Sequence, residues 1–235
     1  MLMLKYIINI ILLLVFTTSF SQKLPSANKT KKDTTTYKTA YGLRVGLDIS
    51  KPGLSIFDKS YSGLELVGDY RISKNWYVAT ELGYEKEITF EDFSQSTSKG
   101  SYIRLGMNYN AYKNWLDMNN EIYVGLRYGF ALFDHTLNNY IPNVNNTYFP
   151  SNTISEPMTD TGLTAHWTEF QLGIKAKTLK NLFVGFSFSY KIGLSIDDQK
   201  GFKTLYAPGF NRVFESNTGF GFNYTISYLI PIVNK

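Results

Sequence analysis

The sequence has no cysteine, which excludes a disulfide framework and thiolate metal sites. Charge is sparse, at 18% of 235 residues, and histidine occurs only twice. Lys and Arg are scattered rather than blocked and the net charge of +5 is modest, so no nucleic-acid partner is expected. Past the first two dozen residues, no apolar run is long enough to cross a bilayer as a helix, which argues against a helical inner-membrane protein. Aromatic residues, by contrast, are plentiful. With 18 Tyr and 17 Phe they make up most of a 16% aromatic fraction, unusual for a soluble enzyme. That composition suits an aromatic-rich belt facing lipid.

The beginning of the chain addresses the compartment. Lys5 precedes an apolar run from Tyr6 to Phe16, followed by a small, polar exit ending at Ser21 and Gln22. This reads as a secretory signal peptide over residues 1–22, the run being short for a membrane anchor. No cysteine follows it, so no lipoprotein is expected. Residues 23–40 are rich in Lys, Thr and Ser and cannot bury enough surface to fold, which predicts a flexible periplasmic tail. Within it, Asp33-Thr34-Thr35 resembles a Bacteroidota O-glycosylation site at Thr34.

From residue 41 to 235 the apolar residues recur with the period of two that marks strands. The first segment, 41–50, sets Leu43, Val45, Leu47 and Ile49 against Arg44, Gly46 and Asp48. The same alternation recurs over 63–73, 75–85, 100–112, 120–130, 163–177, 182–195 and 219–232. In the last, Phe220, Phe222, Tyr224, Ile226 and Tyr228 oppose Gly221, Asn223, Thr225 and Ser227. Each segment has about the ten residues that a tilted strand needs to cross a bilayer. Short links alternate with long ones, which are expected at 51–62, 86–99, 131–162 and 196–218. Every short link carries Lys-Asn before a large apolar residue: Lys74-Asn75-Trp76, Lys113-Asn114-Trp115 and Lys180-Asn181-Leu182. Asn tolerates the left-handed backbone of a tight turn. The expected fold is all-β, an eight-stranded antiparallel up-and-down transmembrane β-barrel in the outer membrane of a Gram-negative bacterium. An even strand count places the N-terminal tail and the C-terminus together in the periplasm.

The face opposite the apolar one carries Arg44, Asp48, Glu65, Asp69, Arg71, Glu81, Arg104, Glu121, Arg127, Glu169, Lys175 and Lys191, with Glu85, Tyr123 and Gln171 beside them. The lumen of an eight-stranded barrel is just wide enough for side chains. Charges of both signs, nearly balanced, point to an ion-pair network that fills it, since buried charges need partners. The alternative is a narrow channel for small solutes, which calls for a wider lumen and commonly an excess of one sign.

No constellation reads as catalytic, and no cofactor is expected. His135 lies at the foot of the longest link. His166 falls on the lipid-facing side of its strand, next to Trp167, an interfacial pair by sequence. Some small barrels modify lipid A with a His and a Ser or carboxylate, but Ser187 and Ser189 point into the lumen, away from His166, so this is a third reading. Two separated histidines without acidic companions make no metal site. The long link holds Asn138-Asn139-Tyr140 and Asn145-Asn146-Thr147-Tyr148-Phe149, residue types of adaptable recognition and equally of ordinary surface loops. The last link holds Tyr206-Ala207-Pro208-Gly209-Phe210-Asn211-Arg212. Tyr206, Phe210 and Arg212 could anchor a partner or fold back to cap the mouth; the sequence leaves both open.

Several blocks, among them GLELVGDYR at 63–71, YVGLRYGF at 123–130, PGFNR at 208–212 and GFGFNYTISYLIPI at 219–232, resemble an uncharacterised outer-membrane family of Bacteroidota. The resemblance covers nearly all of the chain past the leader. It implies an outer-membrane barrel and supplies no catalytic residues. The chain ends Ile232-Val233-Asn234-Lys235 rather than on the aromatic common in proteobacterial barrels. The role expected from these features is structural, or that of an accessory subunit of an envelope complex of the barrel-assembly or transport type. The barrel would also be in contact with outer-membrane lipid and lipopolysaccharide.

Overall fold

The computed structural model describes residues 40–114, 119–142 and 153–234. The leader, the tail with Thr34, Trp115, the 145–149 run and Lys235 lie outside the described residues. The strands are β1 (Ala40–Asp48), β2 (Tyr61–Arg71), β3 (Trp76–Glu91), β4 (Ser94–Asn110), β5 (Glu121–Tyr140), β6 (Met158–Leu179), β7 (Leu182–Ile196), β8 (Tyr206–Ala207), β9 (Asn211–Arg212) and β10 (Thr218–Asn234). One helix, α1 (Ser50–Phe57), follows β1. Eight of the strands close an antiparallel barrel in the order β1-β10-β7-β6-β5-β4-β3-β2, while β8 and β9 form a separate two-residue hairpin. Closure comes from pairing of β1 with β10, from Ala40 opposite Asn234 to Asp48 opposite Thr225.

The alternation sorts the side chains as the strand period requires. Leu43, Val45 and Leu47 of β1, Ile122, Val124, Leu126, Tyr128 and Leu132 of β5, and Phe186, Phe188, Tyr190 and Ile192 of β7 are exposed on the outer face. Inward neighbours such as Arg44, Arg127, Ser187 and Ser189 are buried. A continuous apolar exterior around a polar interior is the reverse of a soluble barrel. Some inward glycines have a packing role. Gly83, Gly129 and Gly173 face the rings of Tyr102, Trp167 and Tyr123 on the neighbouring strand, and a Cβ at any of them would collide with that ring.

The turns at one end are short. Asn181 adopts the left-handed backbone, φ 62°. Asn114 instead closes its turn by side-chain bonds, donating from Nδ2 to Asn120 O and accepting from Asn120 N, both at 2.8 Å. At the other end the strands run on into two of the links expected to be long. β3 and β4 run on to a tight hairpin between Glu91 and Ser94, and β5 and β6 extend to Tyr140 and from Met158. On β5 the apolar belt ends at Leu132. The stretch from there to Tyr140, at about 3.3 Å per residue and tilted about 40°, rises roughly 20 Å above the belt. Ser98, Thr97 and Asn138 make this extension polar on both faces, so no apolar alternation marks it in the sequence.

Candidate functional site

Three features sit at or below the mouth of the barrel: a lumen network, a plug, and a gap in the wall. The network is built around two guanidinium groups. Arg104 of β4 meets Glu65 of β2 at 2.6 Å, Glu81 of β3 at 2.9 Å and Glu169 of β6 at 3.1 Å. Its Nε and Glu81 Oε2 are in ionic contact but lack hydrogen-bond alignment. Arg44 meets Asp69 at 2.6 Å and grips Glu121 with both terminal nitrogens, at 2.6 and 3.0 Å. Lys175 pairs with Asp69, and Arg127 reaches Glu81 at 3.3 Å. Among the described residues Asp48 has no cationic partner. It accepts from Ser50 N, Ser50 Oγ, Asn223 Nδ2 and Tyr224 N. Two members of the expected set bind backbone instead of carboxylate. Arg71 donates to Ser73 O and Lys74 O at the turn, and Lys191 donates to Gly209 O at 2.8 Å. Two cavities in the lumen measure about 20 Å³ each, room for about one water apiece.

The plug is the segment around β8 and β9. Tyr206 is 8% exposed and Phe210 fully buried, so of the two roles open to them the structure places both in a cap on the lumen. Tyr206 donates to Glu85 Oε2 at 2.7 Å, as does the Gly209 amide at 2.8 Å. Phe210 meets Trp167 edge-on, ring centroids 5.8 Å apart. Gly209 lies against the Tyr102 ring with φ 74°, a position that excludes a side chain both sterically and conformationally. Only Arg212 stays exposed, 2.8 Å from Glu91.

The gap arises because β1 is short. Its pairing with β10 ends at Thr225 and its pairing with β2 ends at Leu66. Above that level residues 218–224 of β10 pair with β7 only, and residues 61–65 of β2 pair with β3 only. Helix α1 stands in the space between. Pro52 is tolerated there because it falls in the first turn, whose amides lack helical partners anyway. The exposed edges are partly capped: Ile49 N donates to Tyr224 O, Asn211 Nδ2 to Phe220 O, and Gly63 N to Ser55 Oγ. From α1, Lys51 turns into the lumen and pairs with Glu85 at 2.6 Å, whereas Ile56 and Phe57 are 77% and 89% exposed.

A cleft of about 310 Å³ opens beside the helix. Its outer wall is Phe188, Phe220 and Phe222, which belong to the apolar exterior; its inner wall includes Lys51, Tyr61 and Tyr206; Leu54, Asp58 and Glu87 complete it. Glu87 lies directly opposite Tyr61 in the strand register, above the belt. Burial first, then repulsion from Asp58 and Glu85, pushes its carboxyl up to about 7. Asp58 is held low by the hydroxyl and amide of Ser60.

The histidines separate. His166 is on the outer face, bonded through Nδ1 to Tyr128 OH at 2.7 Å and beside the Phe130 ring. Trp167 does not join it: consecutive strand residues face opposite ways, and Trp167 is buried in the lumen. His135 is buried above the belt, with Nδ1 2.7 Å from Gln199 Oε1, its ring stacked on Phe202 and Nε2 without a hydrogen-bond partner. Desolvation lowers its pKa, opposed by Gln199, Asp198 and Asp160. Among the described residues no group of acids and histidines could hold a metal.

Sequence reasoning missed Lys51 and the helix that carries it. The signal for both was slight: a Lys-Pro-Gly stretch that reads as a loop. Glu85 was visible on the inward face, but not its place under the plug.

No curated protein matches the chain. Among solved structures it is similar to the crystal structure of Ail, the attachment invasion locus protein of Yersinia pestis, at 10% identity over 80% of this chain and 96% of that one, with a TM-score of 0.42. At that level the strand ring itself, not the likeness, establishes the architecture. A family model described as a domain of unknown function, DUF6048, matches residues 3–235. The chain therefore belongs to the DUF6048 family.

Proposed function

We propose that this protein is an integral outer-membrane barrel with no catalytic role, acting as a structural or accessory component of the envelope. The observation that carries the reading is the closed strand ring with a continuous apolar exterior around a lumen filled by paired charges. Such a surface would aggregate in water, and lipid is the solvent it fits. Among the described residues, the two lumen cavities between the network and the wall each have room for about one water, which favours a sealed barrel over a channel. The four-stranded extension of β3–β6 above the belt, mostly polar but with Phe90 and Phe93 exposed at its hairpin, offers a platform for another envelope protein, and the barrel itself meets outer-membrane lipid or lipopolysaccharide.

Membrane fractionation tests the first part: the protein should remain with the outer membrane after carbonate washing, and recovery in the soluble fraction overturns it. The sealed lumen predicts no stable single-channel steps in a planar bilayer. The accessory role predicts co-purification of a defined envelope partner after mild detergent extraction. Recovery only as a free monomer overturns that role.

A further inference from the structure

The wall gap and its cleft have a chemistry of their own. The cleft wraps around the free edge of β10, so one side is the lipid-facing surface of Phe188, Phe220 and Phe222 and the other is the polar mouth. About 310 Å³ is at the lower end of small-molecule sites, enough for part of a chain and a small head but not for a whole bilayer lipid. The polar end is unbalanced. Lys51 is already engaged by Glu85. Glu87 is half-buried, and the charged groups acting on it are two further carboxylates, Asp58 and Glu85. Glu85 is offset by Lys51, and Asp58 is held by Ser60, but among the described residues Glu87 has no hydrogen bond or ion pair of its own. A desolvated carboxylate facing like charges is costly unless a cation joins it. The free edge gives that cation a route along the apolar wall, and the exposed Ile56 and Phe57 hold α1 at the same interface.

We propose that this cleft is a binding site for one membrane lipid whose head carries an ammonium group. An acyl segment lies on Phe188, Phe220 and Phe222 against Leu54, and the ammonium bonds to Glu87 with Asp58 beside it. The inference rests on the membrane reading above and adds a ligand to it. A lipid held here would replace the missing upper part of β1 as the seal of the wall, so the seam would be protein below and lipid above.

The test uses the full protein extracted into mild detergent and mixed with equimolar palmitoyl-oleoyl phosphatidylethanolamine and phosphatidylglycerol, read by native mass spectrometry. The wild type should retain one phosphatidylethanolamine in about tenfold preference, the size expected of one charge-assisted hydrogen bond. Glu87→Gln should abolish the preference while leaving acyl retention. Leu54→Trp, which fills the cleft, should abolish retention of both lipids. Heat-modifiable migration in each variant confirms a folded barrel. Equal retention of the two lipids by the wild type, or retention unchanged by Leu54→Trp, overturns the proposal. A wild type that fractionates as soluble overturns the membrane reading instead, so the two failures are distinct.

Discussion

The barrel wall is built two ways. From β3 to β6 the strands are long and paired for their full height, up to Glu91 opposite Ser94 and Ser94 opposite Tyr140, with register shifts at Gln95/Ser96 and Phe133/His135. From β2 through β1 to β10 the wall is complete only below Leu66 and Thr225, and a helix, a few side-chain caps and an amphipathic cleft take the place of strand above. Backbone pairing holds the upper wall of the first half together. The second half depends on particular side chains, so its residues should be the tunable ones.

Four perturbations would sharpen that contrast. The largest effect is expected where both halves meet, at Arg104. Arg104→Met strands three buried carboxylates on β2, β3 and β6, and loss of one partner from a buried charge cluster costs about 3–5 kcal/mol. Urea unfolding in detergent should show it; an unchanged midpoint would mean that the network contributes little. Next, Phe210→Ala empties the plug's contact with Trp167 and should cost about 3 kcal/mol. The loss should be confined to the plug, seen as faster hydrogen exchange over residues 205–213 with the β3–β6 strands unaffected. Exchange that rises uniformly would show the plug and wall to be one cooperative unit.

Third, Asp48→Ala removes the acceptor that ties β1 to the start of α1 and to β10. The expected cost is about 1–3 kcal/mol, paid at the seam. A cysteine introduced at Gly53 should become more reactive in that background, and unchanged labelling would show that the helix is held by its packing alone. The smallest effect concerns pH. Burial holds the folded-state pKa of His135 below the free value of 6.5, so on acidification the unfolded segment takes up the proton first. The stability this group contributes is present above pH 6.5 and is lost as pH falls toward the folded value. Protection factors over residues 197–204, taken relative to the intrinsic exchange rate at each pH, should therefore fall between pH 7.5 and 5.5, and His135→Gln should flatten the trend. Glu87 runs the other way. Its carboxyl is raised to about 7, so its contribution is full below the free glutamate range and fades as pH rises through 7.

How much of this was legible depended on contrast between the two faces of a strand. Phe186 to Ile192 alternate with Gly185, Ser187, Ser189 and Lys191, and both facing and strand identity follow at once. The lumen carboxylates and guanidinium groups were legible for the same reason. Thr97, Ser98, Asn138 and Thr159 lie in strands with two polar faces, so the extension of the wall read as loop. Tyr206 and Phe210 are as apolar as any surface anchor; what turns them inward includes the Glu85 carboxylate and the Gly209 contact with Tyr102, both more than a hundred residues away in sequence. Trp167 beside His166 misled because adjacency in a strand means opposite faces. The gap was invisible because it depends on where β1 stops, and nothing in Ile49 to Lys51 forbids another pair of strand residues.

The pairing of β1 with β10 also dictates an order of events in the life of the protein. Residues 40–48 find their second neighbour only in residues 225–234, and Asn223 bridges Asp48 and Glu65 across the same seam. No shorter nascent product can close the wall or neutralise its interior. Enclosure of the charges and completion of the hydrogen-bond ring are therefore one late event in folding, set by the arrival of residues 225–234 at β1.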